Sequence, residues 1–121
     1  MRALPEPPGY VQLEGGTVAV DGHGYLVDPR DWSREFAEHV AREEGIELGR
    51  RHWEVIRFMR DYLEEHGIAA DARFVLKFLA APDGLTRHEA KMALFELFPY
   101  GYVKQACRIA GMKQPRAWST G

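Results

Sequence analysis

One side chain in this sequence has the chemistry of a sulfur nucleophile. Cys107 is the lone thiol of a 121-residue chain. A thiolate attacks sulfur donors and carries sulfur as a persulfide when its pKa is low and the site is open. Lys104 lies one helical turn before Cys107 and Arg108 adjoins it, so two cations are placed to favour the thiolate by Coulomb attraction. The competing reading is structural, because a cysteine in an apolar run such as Gln105-Ala106-Cys107 also serves as a small buried hydrophobe.

Other chemistry finds less support. His23, His39, His52, His66 and His88 are widely spaced, and no H-x-x-x-H, C-x-x-C or C-x-x-H pair occurs, so no metal site is expected. The dinucleotide, Walker and nucleophile-elbow signatures are missing, and no cofactor is implied. His52 and Trp53 place a titratable ring beside a large aromatic, but Trp53 falls on an apolar stripe and reads as core. Asp61, Glu64 and Glu65 read as a solvated helix face.

These residues must be held by helices. Asp28-Pro29 suits a helix start, and Trp32, Phe36 and Val40, with Ala37 and Ala41, draw one apolar stripe ending near Gly45. The segment from Arg50 to His66 carries Trp53, Ile56, Met59 or Arg60, and Leu63 at helical spacing, with Gly67 as the stop. Asp71 caps a third helix containing Phe74, Val75, Phe78 and Leu79, which Pro82-Asp83-Gly84 ends. Thr86 and Glu89 have capping-box spacing and open a fourth helix running to about Phe98. Pro99 and Gly101 break it, and a short fifth helix from Val103 to Ala110 stops at Gly111.

Upstream, Thr17–Val20 and Tyr25–Val27 flank Asp21-Gly22-His23-Gly24 and read as a β-hairpin. The expected fold is therefore mainly α: a five-helix orthogonal bundle with an N-terminal β-hairpin and a flexible C-terminal arm. Residues 1–16, rich in proline and glycine, read as a lead-in, 17–111 as the domain and 112–121 as the arm.

The bulk numbers agree with one domain, since 45% hydrophobic and 28% charged residues furnish a core and a charged exterior. One cysteine excludes an intramolecular disulfide and fits a reducing compartment, so the cytoplasm is the expected location. No stretch approaches the ~20 apolar residues of a membrane span, and the first residues lack the apolar run of a signal peptide. The net charge of -2 argues against direct nucleic-acid binding, although residues 71–99 permit a helix-turn-helix. After Glu96 no acidic residue occurs, while Lys104, Arg108, Lys113 and Arg116 follow, so the basic C-terminal part is placed to meet an acidic partner.

Three strings carry a resemblance. They are Gly24-Tyr-Leu-Val-Asp-Pro-Arg-Asp-Trp32, Glu44-Gly-Ile-Glu-Leu-Gly-Arg-Arg-His-Trp-Glu-Val-Ile56 and Leu97-Phe-Pro-Tyr-Gly-Tyr-Val-Lys-Gln-Ala-Cys-Arg-Ile-Ala-Gly111. Together they resemble the DsrC/TusE family. The resemblance implies a sulfur-relay protein or sulfite reductase gamma-subunit homologue, with Cys107 as the sulfur-carrying thiol. It also implies relay proteins or dissimilatory sulfite reductase as partners, and either tRNA thiolation or dissimilatory sulfur metabolism as the destination. Lys104, Arg108, Lys113 and Arg116 are the expected partner-binding or thiolate-supporting cations.

The family has a second cysteine position near the end of the arm, and Trp118 stands there in this chain. That departure frames an alternative, a noncatalytic variant that binds or regulates relay partners. A helix-turn-helix nucleic-acid binder is the third reading.

Overall fold

The computed structural model describes residues 9–115. Strand β1 (Gly9–Leu13) pairs antiparallel with β2 (Gly16–Val20), with Val11 opposite Val18. The reversal occurs at Glu14-Gly15, and the Glu35 carboxylate caps it by accepting the backbone N–H groups of Glu14 (2.5 Å) and Gly15 (3.3 Å). The hairpin thus lies earlier than the β-rich runs suggest, and β1 falls in the stretch read as lead-in. Tyr25–Val27 contributes only one bridge, Val20 to Leu26. Asp21 shapes this reversal: its carboxylate accepts from the backbone N–H groups of His23 (2.8 Å) and Tyr25 (3.0 Å). The Asx-type turn brings the chain back antiparallel beside the end of β2, where the Asp21 N–H donates to the Tyr25 carbonyl (2.8 Å) and the Val27 N–H to the Ala19 carbonyl (3.1 Å), and the pairing goes no further before the Asp28-Pro29 turn.

The Asp28-Pro29 start yields a single 3-10 turn (Pro29–Asp31), and helix α1 (Arg34–Glu44) begins separately. Ser33 imposes the break because its hydroxyl accepts from the Phe36 N–H at 3.1 Å, a capping arrangement that takes Ser33 out of helical geometry. Trp32 therefore stands outside α1, while Phe36, Ala37, Val40 and Ala41 form its buried stripe as the spacing predicts.

Helix α2 (Arg50–His66) buries Val55, Ile56 and Met59 and ends at Gly67, whose φ of 75° suits the left-handed cap. Helix α3 (Ala72–Ala80) starts at Asp71, and α4 (Arg87–Leu97) at the reciprocal Thr86–Glu89 capping box, both as read from sequence. The expected fifth helix takes a different form: Tyr102–Ala106 is a π-helical turn, and only Cys107–Ile109, labelled α5, is α-helical. The mainly helical class with an N-terminal hairpin holds. Arm residues 116–121 lie outside the described residues. Among the described residues no helix is long and apolar enough to cross a membrane.

The core gathers one face of every helix around Phe36, Ile56, Met59, Leu79, Phe98, Tyr102 and Ile109. His52 ties two of these elements together. Its Nδ1 accepts from the Gly49 N–H (3.1 Å) and its Nε2 donates to the Leu97 carbonyl (2.8 Å).

Candidate functional site

Cys107 sits where the π turn passes into α5, and both its backbone groups are engaged. Its N–H donates to the Tyr102 carbonyl five residues back, and its carbonyl accepts from the Met112 N–H at 2.9 Å. With Gly111 donating to the Arg108 carbonyl at 3.2 Å, these bonds form a Schellman-type cap. The chain leaves the cap at Met112, so the thiol-bearing turn and the arm exit are one structural unit. Gly111 has a φ of 78° and packs so tightly on the Trp32 ring that a Cβ there would overlap it.

Two side chains clamp this exit. Trp32 Nε1 donates to the Ile109 carbonyl at 2.9 Å. Arg60 donates to the Ala110 (3.1 Å), Gly111 (3.5 Å) and Pro29 (3.0 Å) carbonyls and lays its guanidinium 4.8 Å from the centre of the Trp32 ring. A half-buried cation, without an ion pair among the described residues, here serves the Ala110 and Gly111 carbonyls at a helix end and adds a second donor to the Pro29 carbonyl, which also accepts from the Trp32 N–H at 3.2 Å. Burial lowers the Arg60 pKa, with Glu64 opposing that effect. The sequence held one clue to Arg60, a charge at a stripe position of α2.

The thiol itself is fully buried. Burial pushes its pKa up to about 12, against a smaller opposing effect of the Tyr102 hydroxyl beside it. That hydroxyl donates to the Ala70 carbonyl, and burial likewise raises its own pKa. Tyr25 closes the other side by donating from its hydroxyl to the Val103 carbonyl at 2.8 Å.

The predicted cations are distributed around the thiol and do not converge on it. Arg108 turns to α1, pairing with Glu43 (2.7 Å) and Glu44 (3.7 Å) and donating to the Gly24 carbonyl (3.3 Å). Lys104 and Lys113 are exposed, Lys113 just past the clamp. Arg116 lies outside the described residues. Among the described residues no three His, Cys, Asp or Glu side chains gather as metal ligands. Beside the arm exit runs a groove of about 1150 Å³ whose walls include Val27, Arg30, Arg60, Leu63, Ile68 and Met112.

The family model "DsrC like protein" matches residues 12–117, running from the end of β1 through β2, all five helices, the Cys107 turn and the arm exit. The chain belongs to the DsrC-like family. It is 39% identical over 105 residues to the sulfurtransferase TusE of Pectobacterium atrosepticum, a match spanning 87% of this chain and 95% of that protein. The structure of DsrC from Allochromatium vinosum superposes with a TM-score of 0.77 at 36% identity, covering 92% of this chain and 98% of that one. The oxidized gamma-subunit of the dissimilatory sulfite reductase from Archaeoglobus fulgidus gives the same TM-score at 32% identity, over 90% and 98% of the two chains. The DsrC-like fold therefore accounts for nearly all of the described residues.

Proposed function

We propose that this protein is a DsrC/TusE-like sulfur-relay component in which Cys107 accepts sulfur only after its turn is opened by a docked partner. One observation supports this most directly: the Cys107 carbonyl is bonded to the first residue of the arm, Met112. A pull on the arm therefore acts on the thiol's own turn. The adjoining groove leaves room for an incoming donor.

In the step itself, the Cys107 thiolate attacks the outer sulfur of a donor persulfide. A new sulfur–sulfur bond forms on Cys107, the donor's bond breaks, and the donor thiolate leaves and takes up the proton. Relay sulfurtransferases or a dissimilatory sulfite reductase are the partners that the relatives suggest. We place the work in the cytoplasm, where a lone thiol remains reduced.

The test is intact-mass analysis after exposure to glutathione persulfide, using the wild type, Cys107→Ala and the clamp variant Arg60→Gln. One added sulfur should form slowly on the wild type, faster on Arg60→Gln and never on Cys107→Ala. If Arg60→Gln alkylates readily yet gains no sulfur, Cys107 is not a carrier and the protein serves the relay by docking alone.

A further inference from the structure

On the side of the molecule formed by α3 and the start of α4 lies a second groove, of about 460 Å³. Arg73, Phe74, Leu76, Lys77, Ala80 and Arg87 line it. Residues 73, 76, 77 and 80 are spaced to share one face of α3, and Arg87 opens α4. The floor is apolar and the rim carries three cations with no carboxylate among them. Arg73 is tied to the helix-capping Asp71 (3.2 Å), whereas among the described residues Lys77 and Arg87 have no ion-pair partner. Phe74 keeps 36% of its surface exposed, stacks on Tyr62 (5.5 Å), and has the Arg73 and Lys77 charges 5.9 and 5.8 Å from its ring.

From this geometry we infer that the α3–α4 groove is a docking site for an acidic, apolar-anchored segment of a partner protein. A leucine-sized side chain fills the floor against Phe74, Leu76 and Ala80, and flanking carboxylates meet Lys77 and Arg87. An unfilled apolar floor gains from desolvation, and unpaired rim cations gain from an acidic partner and repel a basic one. The observations favour a peptide over nucleic acid. Only three cations line the groove, one of them already paired with Asp71, which is too few to follow a run of phosphates, and its apolar floor rewards a buried side chain more than a phosphate backbone. The groove shares no residue with the Cys107 site, so this reading does not depend on sulfur loading.

The experiment is an amide chemical-shift titration of the full chain with a short synthetic peptide rich in leucine and glutamate. The same peptide with glutamine for glutamate and a single-stranded oligothymidine serve as comparisons. The acidic peptide should shift Arg73–Ala80 and Arg87, bind more weakly as salt rises, and lose at least about tenfold in affinity in the Lys77→Glu/Arg87→Glu variant. Both side chains are exposed, so that variant should keep its circular dichroism and its Cys107 sulfur loading. Equal binding of the glutamine peptide, tighter binding of the oligonucleotide, or shifts confined to other surfaces would each overturn the proposal.

Discussion

Alkylation of Cys107 in the folded protein should be about a thousandfold slower than in the unfolded chain, and the magnitude comes from two routes to reaction. In the closed state the thiol is pushed up to about 12. At about pH 7.5 only about three molecules in 100,000 then carry a thiolate, against about one in ten for an ordinary thiol. The greater nucleophilicity of a high-pKa thiolate returns about 25- to 55-fold of that deficit. A fully buried sulfur still presents no surface to the reagent, so the closed route contributes nothing measurable.

The open route requires breaking the bonds that hold the arm exit. The Trp32–Ile109 and Met112–Cys107 bonds are each worth about 1 kcal/mol, and the charged Arg60–Ala110 bond about 2 kcal/mol. Their sum, about 4 kcal/mol, corresponds to an open fraction of about one in a thousand. The assay is iodoacetamide labelling followed by intact mass, in native buffer and in concentrated urea, across alkaline pH. The rate should bend near the ordinary thiol value because the reacting state is open. A retardation below about tenfold would refute both the burial and the clamp arguments.

Three further outcomes follow from the same contacts. Arg60→Gln should cost about 2 kcal/mol in urea unfolding and speed native alkylation about thirtyfold, while Thr86→Ala should cost about 1 kcal/mol through its lost cap without touching the labelling rate. Gly111→Ala forces a left-handed φ and a clash with Trp32 together, and should lower stability by more than about 3 kcal/mol, read by indole fluorescence during denaturation. A raised folded-state thiol pKa means that the folded protein holds its proton longer. Stability should therefore be intact below the unfolded-state value and fall as pH rises through about 9 to 12, and that alkaline loss should be smaller in Cys107→Ala.

What the sequence revealed was governed by local rules. Asp71, the Thr86–Glu89 pair and Gly67 each act within four residues of themselves, and each behaves as the pattern predicts. The hairpin lies earlier than the β-rich runs suggest because Tyr25–Val27 joins β2 by a single bridge, whereas Gly9–Leu13 pairs along its whole length and a carboxylate from Glu35, some twenty residues away, caps that earlier turn. The fifth helix was visible as a short apolar run after Gly101. Its π geometry was not, because it depends on where Tyr102, Tyr25 and Gln105 find partners: the Ala70 and Val103 carbonyls and the Tyr100 N–H.

The setting of Cys107 shows the same limit. Lys104 and Arg108 lie beside it in sequence, but the acids of α1 take Arg108 and burial decides the thiol's protonation. Composition and spacing identified the thiol. Only tertiary packing could show that it is closed.

Closure also constrains how a relay could run through this thiol. An opening cost of about 4 kcal/mol means that a partner must prefer the open arm exit about a thousandfold over the closed one to expose Cys107 in half of the molecules. A donor without that preference, however reactive, meets a protonated and covered sulfur. Because the chain has one cysteine, a persulfide formed on Cys107 has no second thiol of its own to attack it. Its sulfur leaves only to a thiol brought by another molecule. Reclosing before that thiol arrives would bury a persulfide in a core fitted to a smaller group, at the cost that overpacking carries. Loading and release are therefore favoured within one open complex, with the acceptor thiol engaging before the arm exit recloses.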